Sequence, residues 1–290
     1  MSRYPAMFSR LAGAEQGAFV PFVMVGDPTP AASEAIIEAL IDGGADALEL
    51  GTPFSDPVAD GPTIQRAHLR ALHAGASFAD CLRVVARVRE RHPELPIGML
   101  IYGNVPFAIG LDAFYADCAA AGIDSVLLPD VPVRESEEFS AAAARAGIDP
   151  VYIAPPSASA QTLDAVAAAS RGYVYAVSRA GVTGTERASS TVGLAQSVAR
   201  LRADAAAPVM LGFGISAPEQ VAEAIAAGAD GAISGSAVVK IVEAHAPAVL
   251  AALSDAGEDC AQYTAAVEAM TAELRDFVSR MKAATHRNRH

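Results

Sequence analysis

The sequence predicts an α/β fold of the (β/α)8 TIM-barrel type, and three features of the chain lead to this prediction. Short apolar runs bounded by glycine or proline recur along its 290 residues. Helical patterns lie between these runs, so strands and helices alternate. A chain of this length also has the usual size of a single barrel. The competing fold, a doubly wound parallel sheet, usually has fewer strands and an early GxGxxG motif, and neither is found here.

Eight segments have the composition of parallel strands, which are buried on both faces and are therefore continuously apolar. Four of them follow an Ala-rich helix that ends on glycine, the residue that favours a left-handed turn at a helix C-terminus. These four lie within residues 42–51, 120–130, 144–155 and 226–236. The other four are residues 19–25, 96–102, 172–178 and 208–214.

Helical patterns fill the intervals between the strands and continue past both ends of the barrel. The intervening helices are predicted at residues 30–42, 62–91 with a break near Gly75, 111–121, 135–146, 159–169, 191–203 and 217–227. We expect an N-terminal helix at about 3–14, the barrel at about 18–250 and a C-terminal helix at about 264–284. Helix eight should begin near Ser236, and the polar segment 254–263 should end it. Because no flexible linker interrupts the chain, residues 1–290 are predicted to form a single domain with extra terminal helices.

The composition restricts the class of protein. Hydrophobic residues make up 52% of the chain and charged residues 19%, which is enough for a large core. The net charge of −12 disfavours nucleic acid and anionic membranes as main partners, although backbone amides can still hold a single phosphate. The three cysteines lack a CxxC spacing, and we expect free thiols. The sequence shows neither a signal peptide nor an uninterrupted apolar segment of membrane-spanning length, so a cytoplasmic protein is predicted.

The most informative segment is LELGTPFSDPVADGPTI, residues 48–64. A strand ends on Glu49, and a loop stiffened by proline and glycine then delivers a second acid, Asp60. Burial at the strand end should raise the pKa of Glu49 and allow it to accept and return protons near neutral pH. Asp60, in a loop, should stay ionised and stabilise charge. The alternative, a structural glutamate and a turn aspartate, stays open at this point.

Two glycine-rich segments, 212–216 and 233–238, follow the last two predicted strands, where barrels commonly bind phosphate. Ser236 would begin a helix whose N–H groups face the barrel mouth. The long segment 178–190, which includes Thr183, has the length of a lid. Ordinary turn glycines and a surface loop are the alternatives. A flat aromatic substrate would need apolar residues at strand ends, and the candidates include Phe22, Leu100, Tyr102, Ile153, Tyr175 and Phe213.

The six histidines show neither HxH nor HExxH spacing, and none lies at a predicted strand end. We therefore predict no metal site. Neither Ser178 nor Ser236 has a plausible histidine base, which disfavours a hydrolase triad.

Residues 48–65 resemble the signature of the tryptophan synthase alpha chain family. Other motifs of that family follow in the same order, and the resemblance covers almost the whole chain. They are PFVMVGDP (21–28), SRAGVTG (178–184), GFGIS (212–216), SGSAVVK (234–240) and MKAAT (281–285). The segment 244–266 is longer than is usual in the family, which affects the ends of helix eight but not the site.

The resemblance implies a lyase that cleaves indole-3-glycerol phosphate to indole and glyceraldehyde 3-phosphate by a retro-aldol step. It implies that Glu49 moves protons and that Asp60 stabilises positive charge on the indole ring. It further implies a substrate-binding set with three parts: an indole sandwich, a phosphate cradle and a lid residue that meets Asp60. By residue number these are Phe22, Leu100 and Phe213 for the sandwich; Gly184, Phe213, Gly214, Gly235 and Ser236 for the cradle; Thr183 for the lid; and Tyr102, Ile153, Tyr175 and Ile233 for the rest of the pocket.

The resemblance also implies a partner, the tryptophan synthase beta chain, in an alpha-beta-beta-alpha heterotetramer, with Pro53 and Asp56 facing that partner. Pyridoxal phosphate is expected in the beta chain, and no cofactor is expected in this one. Two other functions stay open: a free-standing indole-3-glycerol phosphate lyase, and a barrel without catalytic activity that activates a partner.

Overall fold

The computed structural model describes residues 2–156, 158–177, 194–204 and 207–287. Within these ranges nine short parallel strands form one sheet, in the order β5-β4-β3-β2-β1-β9-β8-β7-β6. Their bounds are β1 Ala18–Met24, β2 Leu48–Gly51, β3 Ile97–Leu100, β4 Ser125–Leu127, β5 Asp149–Val151, β6 Ile153–Ala154, β7 Val174–Val177, β8 Val209–Gly212 and β9 Gly231–Ser234.

The two edge strands of this sheet, β5 and β6, are consecutive in the chain and separated only by Tyr152. β5 pairs with β4 and β6 pairs with β7, so the chain itself joins the two edges and the barrel is nearly closed. The predicted fifth strand within 144–155 is therefore divided into two pieces, and nine strands occupy eight barrel positions. The barrel prediction is confirmed.

Alternation along the strands sorts the side chains into two layers, because successive residues of a strand point to opposite faces. Residues such as Val20, Ala47 and Tyr175 belong to a cluster inside the barrel. Their neighbours, such as Phe19 and Leu48, belong to the larger cluster between the strands and the surrounding helices. Both layers are buried, which explains why the strands are apolar without interruption.

Helices surround the barrel close to their predicted positions. Their bounds are α1 Tyr4–Gly13, α2 Pro30–Asp42, α3 Pro62–His73, α4 Phe78–Arg91, α5 Asn104–Ile109, α6 Leu111–Ala121, α7 Glu137–Ala146, α8 Ala160–Ala169, α9 Leu194–Asp204, α10 Pro218–Ala226, α11 Ser236–Ala256 and α12 Ala261–Ala283, with a 3-10 helix at Val133–Glu135. The predicted break between α3 and α4 occurs around Gly75, whose φ of +76° suits glycine. Short α5 was not predicted, because six residues between two glycines are too few to show a helical period.

The terminal helices pack onto the barrel from two sides. Tyr4, Met7 and Leu11 of α1 join the interior cluster, where they lie with Ala18 and Ala47 at the start of the strands. The amino end of the barrel is thereby closed, and the carboxyl ends of the strands remain for a site. α12 packs against α2 and α11. That the whole chain is a single domain stays a prediction, which these contacts support.

α11 is the one described helix that is long and apolar enough to cross a membrane by length and composition, over Ser236–Asp255 with a mean hydropathy of 1.5. It contains Pro247, and it packs against α3, α12 and β1. A core helix of a soluble protein passes the same test.

Candidate active site

Glu49 projects into the interior of the barrel and is only 2% exposed. It lies two positions after the interior residue Ala47, so both side chains point to the same face, and it is in register with Phe22 of β1. The hydroxyl of Tyr173 donates a hydrogen bond to its Oε1 over 3.0 Å. Burial raises the pKa of Glu49 from 4.5 to about 7, the Tyr173 bond opposes this rise, and the negative charge of Asp60 adds to it. A buried acid of this kind can both give and accept a proton near neutral pH.

Asp60 is also buried, at 6% exposure, although it lies in the loop between β2 and α3. Its Oδ2 accepts a hydrogen bond from the hydroxyl of Tyr102 over 2.8 Å. The same oxygen lies 3.2 Å from Nε2 of His68. Contacts with Tyr102 and His68 therefore hold this carboxylate, which the sequence analysis predicts only as an ionised loop residue.

The two acids both influence one buried group near the carboxyl ends of the strands. Tyr175, buried on β7, has its pKa raised by burial first and then by the negative charges of Glu49 and Asp60. Asp60 in turn raises the pKa of Glu49. The charges of Glu49 and Asp60 therefore act on the same tyrosine, which indicates that these three groups lie near one another.

The predicted apolar side chains lie on the strands or directly after them, and glycines make room for two of these side chains. Phe22 is buried and crosses over Gly51, where an added Cβ would lie 2.6 Å from its ring. A Cβ at Gly212 would collide with the hydroxyl of Tyr175. Leu100 is half-buried and packs on both the interior cluster and the cluster that holds Phe22. The half-buried Ile153 and Phe213 and the buried Ile233 complete the predicted set among the described residues.

The segments that follow β8 and β9 contain strained backbone and a helix N-terminus. Phe213 adopts a φ of +71°, which costs a non-glycine residue about 1–3 kcal/mol and is typical of functional sites. Gly214 follows with a φ of +80°. Gly235 precedes α11, whose first residue, Ser236, is buried. The first N–H groups of an α-helix lack partners within the helix and carry partial positive charge, so they suit an anion.

Several predicted residues lie elsewhere or are not described. Thr183, Gly184 and the rest of the predicted lid fall outside the described residues. Asp27, in the motif PFVMVGDP, is buried and accepts two hydrogen bonds from Arg70, over 2.7 and 2.8 Å. The cap of α2 is Thr29, which accepts from the N–H of Ala32.

The predicted partner-facing residues lie on an exposed loop beside the mouth. Asp56 is exposed and Pro53 is half-buried. The sequence analysis missed two exposed apolar side chains, Val58 on the same loop and Phe107 on α5, which are 76% and 72% exposed. Burying such side chains against a partner would remove apolar surface from water.

Sequence reasoning also missed two residues that hold the acids, Tyr173 and His68. Tyr173 is buried beside Glu49 and two positions before Tyr175, so the strand period of two could have pointed to it. His68 lies on the buried face of α3 between Ile64 and Ala71, where a polar residue in an apolar stripe is the signal. Among the described residues, no group of three or more His, Cys, Asp or Glu side chains could hold a metal ion.

Known proteins resemble this chain in both sequence and structure. The family model for the tryptophan synthase alpha chain matches residues 8–285. The chain is 58% identical to the tryptophan synthase alpha chain of Corynebacterium efficiens, over 98% of this chain and 99% of the relative. It is 52% identical to that of Aliivibrio fischeri, over 99% of this chain and 100% of the relative. A chain in the structure of Mycobacterium tuberculosis tryptophan synthase superposes with a TM-score of 0.83 at 30% identity, covering 99% of both chains.

Proposed function

This chain belongs to the tryptophan synthase alpha chain family, and from that premise we propose that it cleaves indole-3-glycerol phosphate to indole and glyceraldehyde 3-phosphate. One observation carries the proposal beyond the family name. Two buried carboxyl groups, Glu49 and Asp60, lie at the carboxyl ends of the barrel strands, near enough for the charge of Asp60 to raise the pKa of Glu49. Ionisable groups are costly to bury, and groups of this kind cluster at sites that move protons.

Glu49 is the group that moves protons in this proposal. Its protonated carboxyl gives a proton to C3 of the indole ring, and the ring becomes positively charged. The resulting carboxylate then removes the proton of the hydroxyl on the adjacent side-chain carbon. The O–H electrons form the carbonyl, the C3–carbon bond breaks, and its electrons neutralise the ring. Glu49 is protonated again at the end, and a pKa of about 7 makes both of its forms accessible near neutral pH.

Asp60 supplies negative charge where positive charge develops. When C3 gains a proton, the ring nitrogen and its N–H become electron-poor. A fixed carboxylate beside that N–H stabilises the positively charged intermediate. The bonds from Tyr102 and His68 support this role, because they orient the carboxylate before the substrate arrives. A preorganised charge needs no rearrangement at the moment of reaction.

The other substrate groups have candidate partners in the same cavity. Phe22, Leu100 and Phe213 supply the apolar surfaces for a flat bicyclic ring. The amino end of α11, with Gly235 and Ser236, is the proposed phosphate cradle, together with Gly214. Tyr102, Ile153, Tyr175 and Ile233 complete the proposed pocket, and Thr183 and Gly184 remain proposed members of it.

We further propose that a tryptophan synthase beta chain binds beside the barrel mouth, in an alpha-beta-beta-alpha assembly. The exposed Val58 supports this, since it lies two residues after Asp56 on the same loop, and the exposed Phe107 of α5 adds apolar surface that a partner could bury. Indole is apolar and crosses membranes, so direct transfer to the partner would prevent its loss. We expect pyridoxal phosphate in the beta chain, no cofactor in this one, and a cytoplasmic location.

The experiment is a cleavage assay with the purified chain, alone and with a beta chain added. Release of glyceraldehyde 3-phosphate is followed by coupling it to a dehydrogenase. We expect slow cleavage by the chain alone and strong stimulation by the beta chain. Full activity without the partner would instead favour a free-standing lyase. Activation of the beta chain without any cleavage would favour a barrel that is not catalytic.

A further inference from the structure

His68 is a buried histidine in contact with Asp60, and no step of the proposed reaction moves a proton to or from it. It is 1% exposed and lies on α3, the helix that directly follows the loop carrying Asp60. One ring nitrogen, Nε2, lies 3.2 Å from Oδ2 of Asp60. The other, Nδ1, lies 3.0 Å from the backbone nitrogen of Phe54.

These two contacts determine where the proton of the ring sits. A backbone N–H can only donate a hydrogen bond, so Nδ1 of His68 must present its lone pair to Phe54. A neutral imidazole carries its single proton on the other nitrogen, which here is Nε2. Nε2 therefore donates to the carboxylate of Asp60. A doubly protonated ring would lose the bond to Phe54, because both nitrogens would then be donors.

The surrounding groups hold the ring in this position. The ring of Phe54 stacks on that of Tyr102, with centroids 5.0 Å apart, and His68 meets the edge of Tyr102 at 6.2 Å. Tyr102 donates to the same Asp60 oxygen, and its own hydroxyl accepts from the N–H of Ala59. The backbone of the segment from Phe54 to Asp60 therefore bonds to two side chains, His68 at its start and Tyr102 near its end. Both of these side chains also contact the same oxygen of Asp60.

We propose that His68 is a positioning residue for Asp60, acting as a neutral Nε2–H donor whose tautomer is fixed by the backbone N–H of Phe54. The proposal rests on the function proposed above for Asp60. A neutral donor orients the carboxylate and leaves its negative charge for the indole ring, whereas a charged partner would compete for it. The effect falls on turnover rather than on substrate binding, because the indole ring is positively charged only during the reaction.

The test compares three chains: wild type, His68→Leu and His68→Gln. Leucine fills a similar volume without either polar contact. Glutamine restores an N–H donor that reaches toward Asp60. We expect His68→Leu to lower kcat about tenfold, the effect of losing a hydrogen bond to a charged group, with KM changed less than about twofold. His68→Gln should recover a large part of that loss. His73→Leu, the same substitution at an exposed position of the same helix, is the control and should match wild type.

Wild-type kcat in a folded His68→Leu, or a His68→Gln no faster than His68→Leu, would overturn the proposal. A second measurement does not depend on activity or on the folding of a variant. Nitrogen NMR of the histidine-labelled wild-type chain should show His68 with its proton on Nε2 and a bare Nδ1. A proton on Nδ1 would overturn the proposal. Failure of the proposed function is distinct, since the wild-type chain would then cleave no indole-3-glycerol phosphate.

Discussion

Replacing Glu49 with glutamine should stabilise the fold while removing most of its activity, and the gain in stability should depend on pH. In the folded protein the pKa of Glu49 is raised from 4.5 to about 7, chiefly by burial. The folded chain therefore holds this proton more tightly than the unfolded chain, and folding takes up a proton between these two values. Stability contributed by this group is present at low pH and is lost as pH rises toward 7.

The size of the effect follows from the shift. Each pKa unit corresponds to about 1.4 kcal/mol, so the ionised Glu49 costs the fold roughly 3 kcal/mol above pH 7. Glutamine has nearly the same shape, can still accept from Tyr173, and carries no charge to bury. Between about pH 5.5 and about pH 8, the stabilisation of Glu49→Gln over wild type should therefore grow by about 2 kcal/mol.

The assay is urea unfolding of both chains at the two pH values, followed by circular dichroism. Glu223→Gln, at an exposed position of α10, is the control and should show no pH-dependent difference from wild type. Cleavage assays on the same samples should show that Glu49→Gln keeps substrate binding and loses most turnover, because only proton transfer is removed. If wild type and Glu49→Gln differ in unfolding free energy by the same amount at both pH values, Glu49 does not have the raised pKa of a buried carboxyl. Unchanged turnover in Glu49→Gln would refute the catalytic role of Glu49.

Three further outcomes test other parts of the site. Asp60→Asn should lower kcat by about 10²–10³ with a smaller change in KM, as expected when a preorganised charge is removed; unaltered steady-state kinetics would exclude the charge-stabilising role. Ser236→Asp should weaken binding of a phosphate-bearing substrate analogue in calorimetry by about 10²-fold, because it adds a like charge at the cradle. The matched change Ser159→Asp, at the exposed cap of α8, should leave binding intact, and equal affinity in both variants would locate the phosphate elsewhere. Tyr173→Phe removes the bond that lowers the pKa of Glu49, so a titration of Glu49 by carbon NMR should shift upward by about one unit; no shift would mean that the bond does not form.

The sequence predicted the barrel closely because its signals are local. Most strands are apolar runs of four to seven residues. Several helices begin or end at residues such as Pro30, Pro62 or Gly122, whose preferred backbone conformations do not depend on distant residues. Glycine after an Ala-rich helix, followed by an acid and an apolar run, repeats with enough regularity to give the strand count. The division of the fifth strand at Tyr152 and the six-residue α5 involve too few residues to leave such a pattern.

The position of Glu49 was predictable for the same reason. A strand end and a strand period place it inside the barrel without knowledge of any distant residue. The family resemblance added what the residues alone left open, namely a reaction and a substrate for the two acids.

The sequence by itself thus determined the architecture, the face of the barrel that carries the site, and both acids as candidates. Only the tertiary structure decided how those acids are held. Tyr173 meets Glu49 across 124 residues of chain, and Tyr102 meets Asp60 across 42. Closure of the barrel brings such residues together and buries Glu49, which raises its pKa. Packing of α3 brings the backbone N–H of Phe54, 14 residues earlier, to the ring of His68. Burial and hydrogen-bond geometry depend on every neighbouring element, whereas helices, strands and turns depend mainly on residues a few positions away.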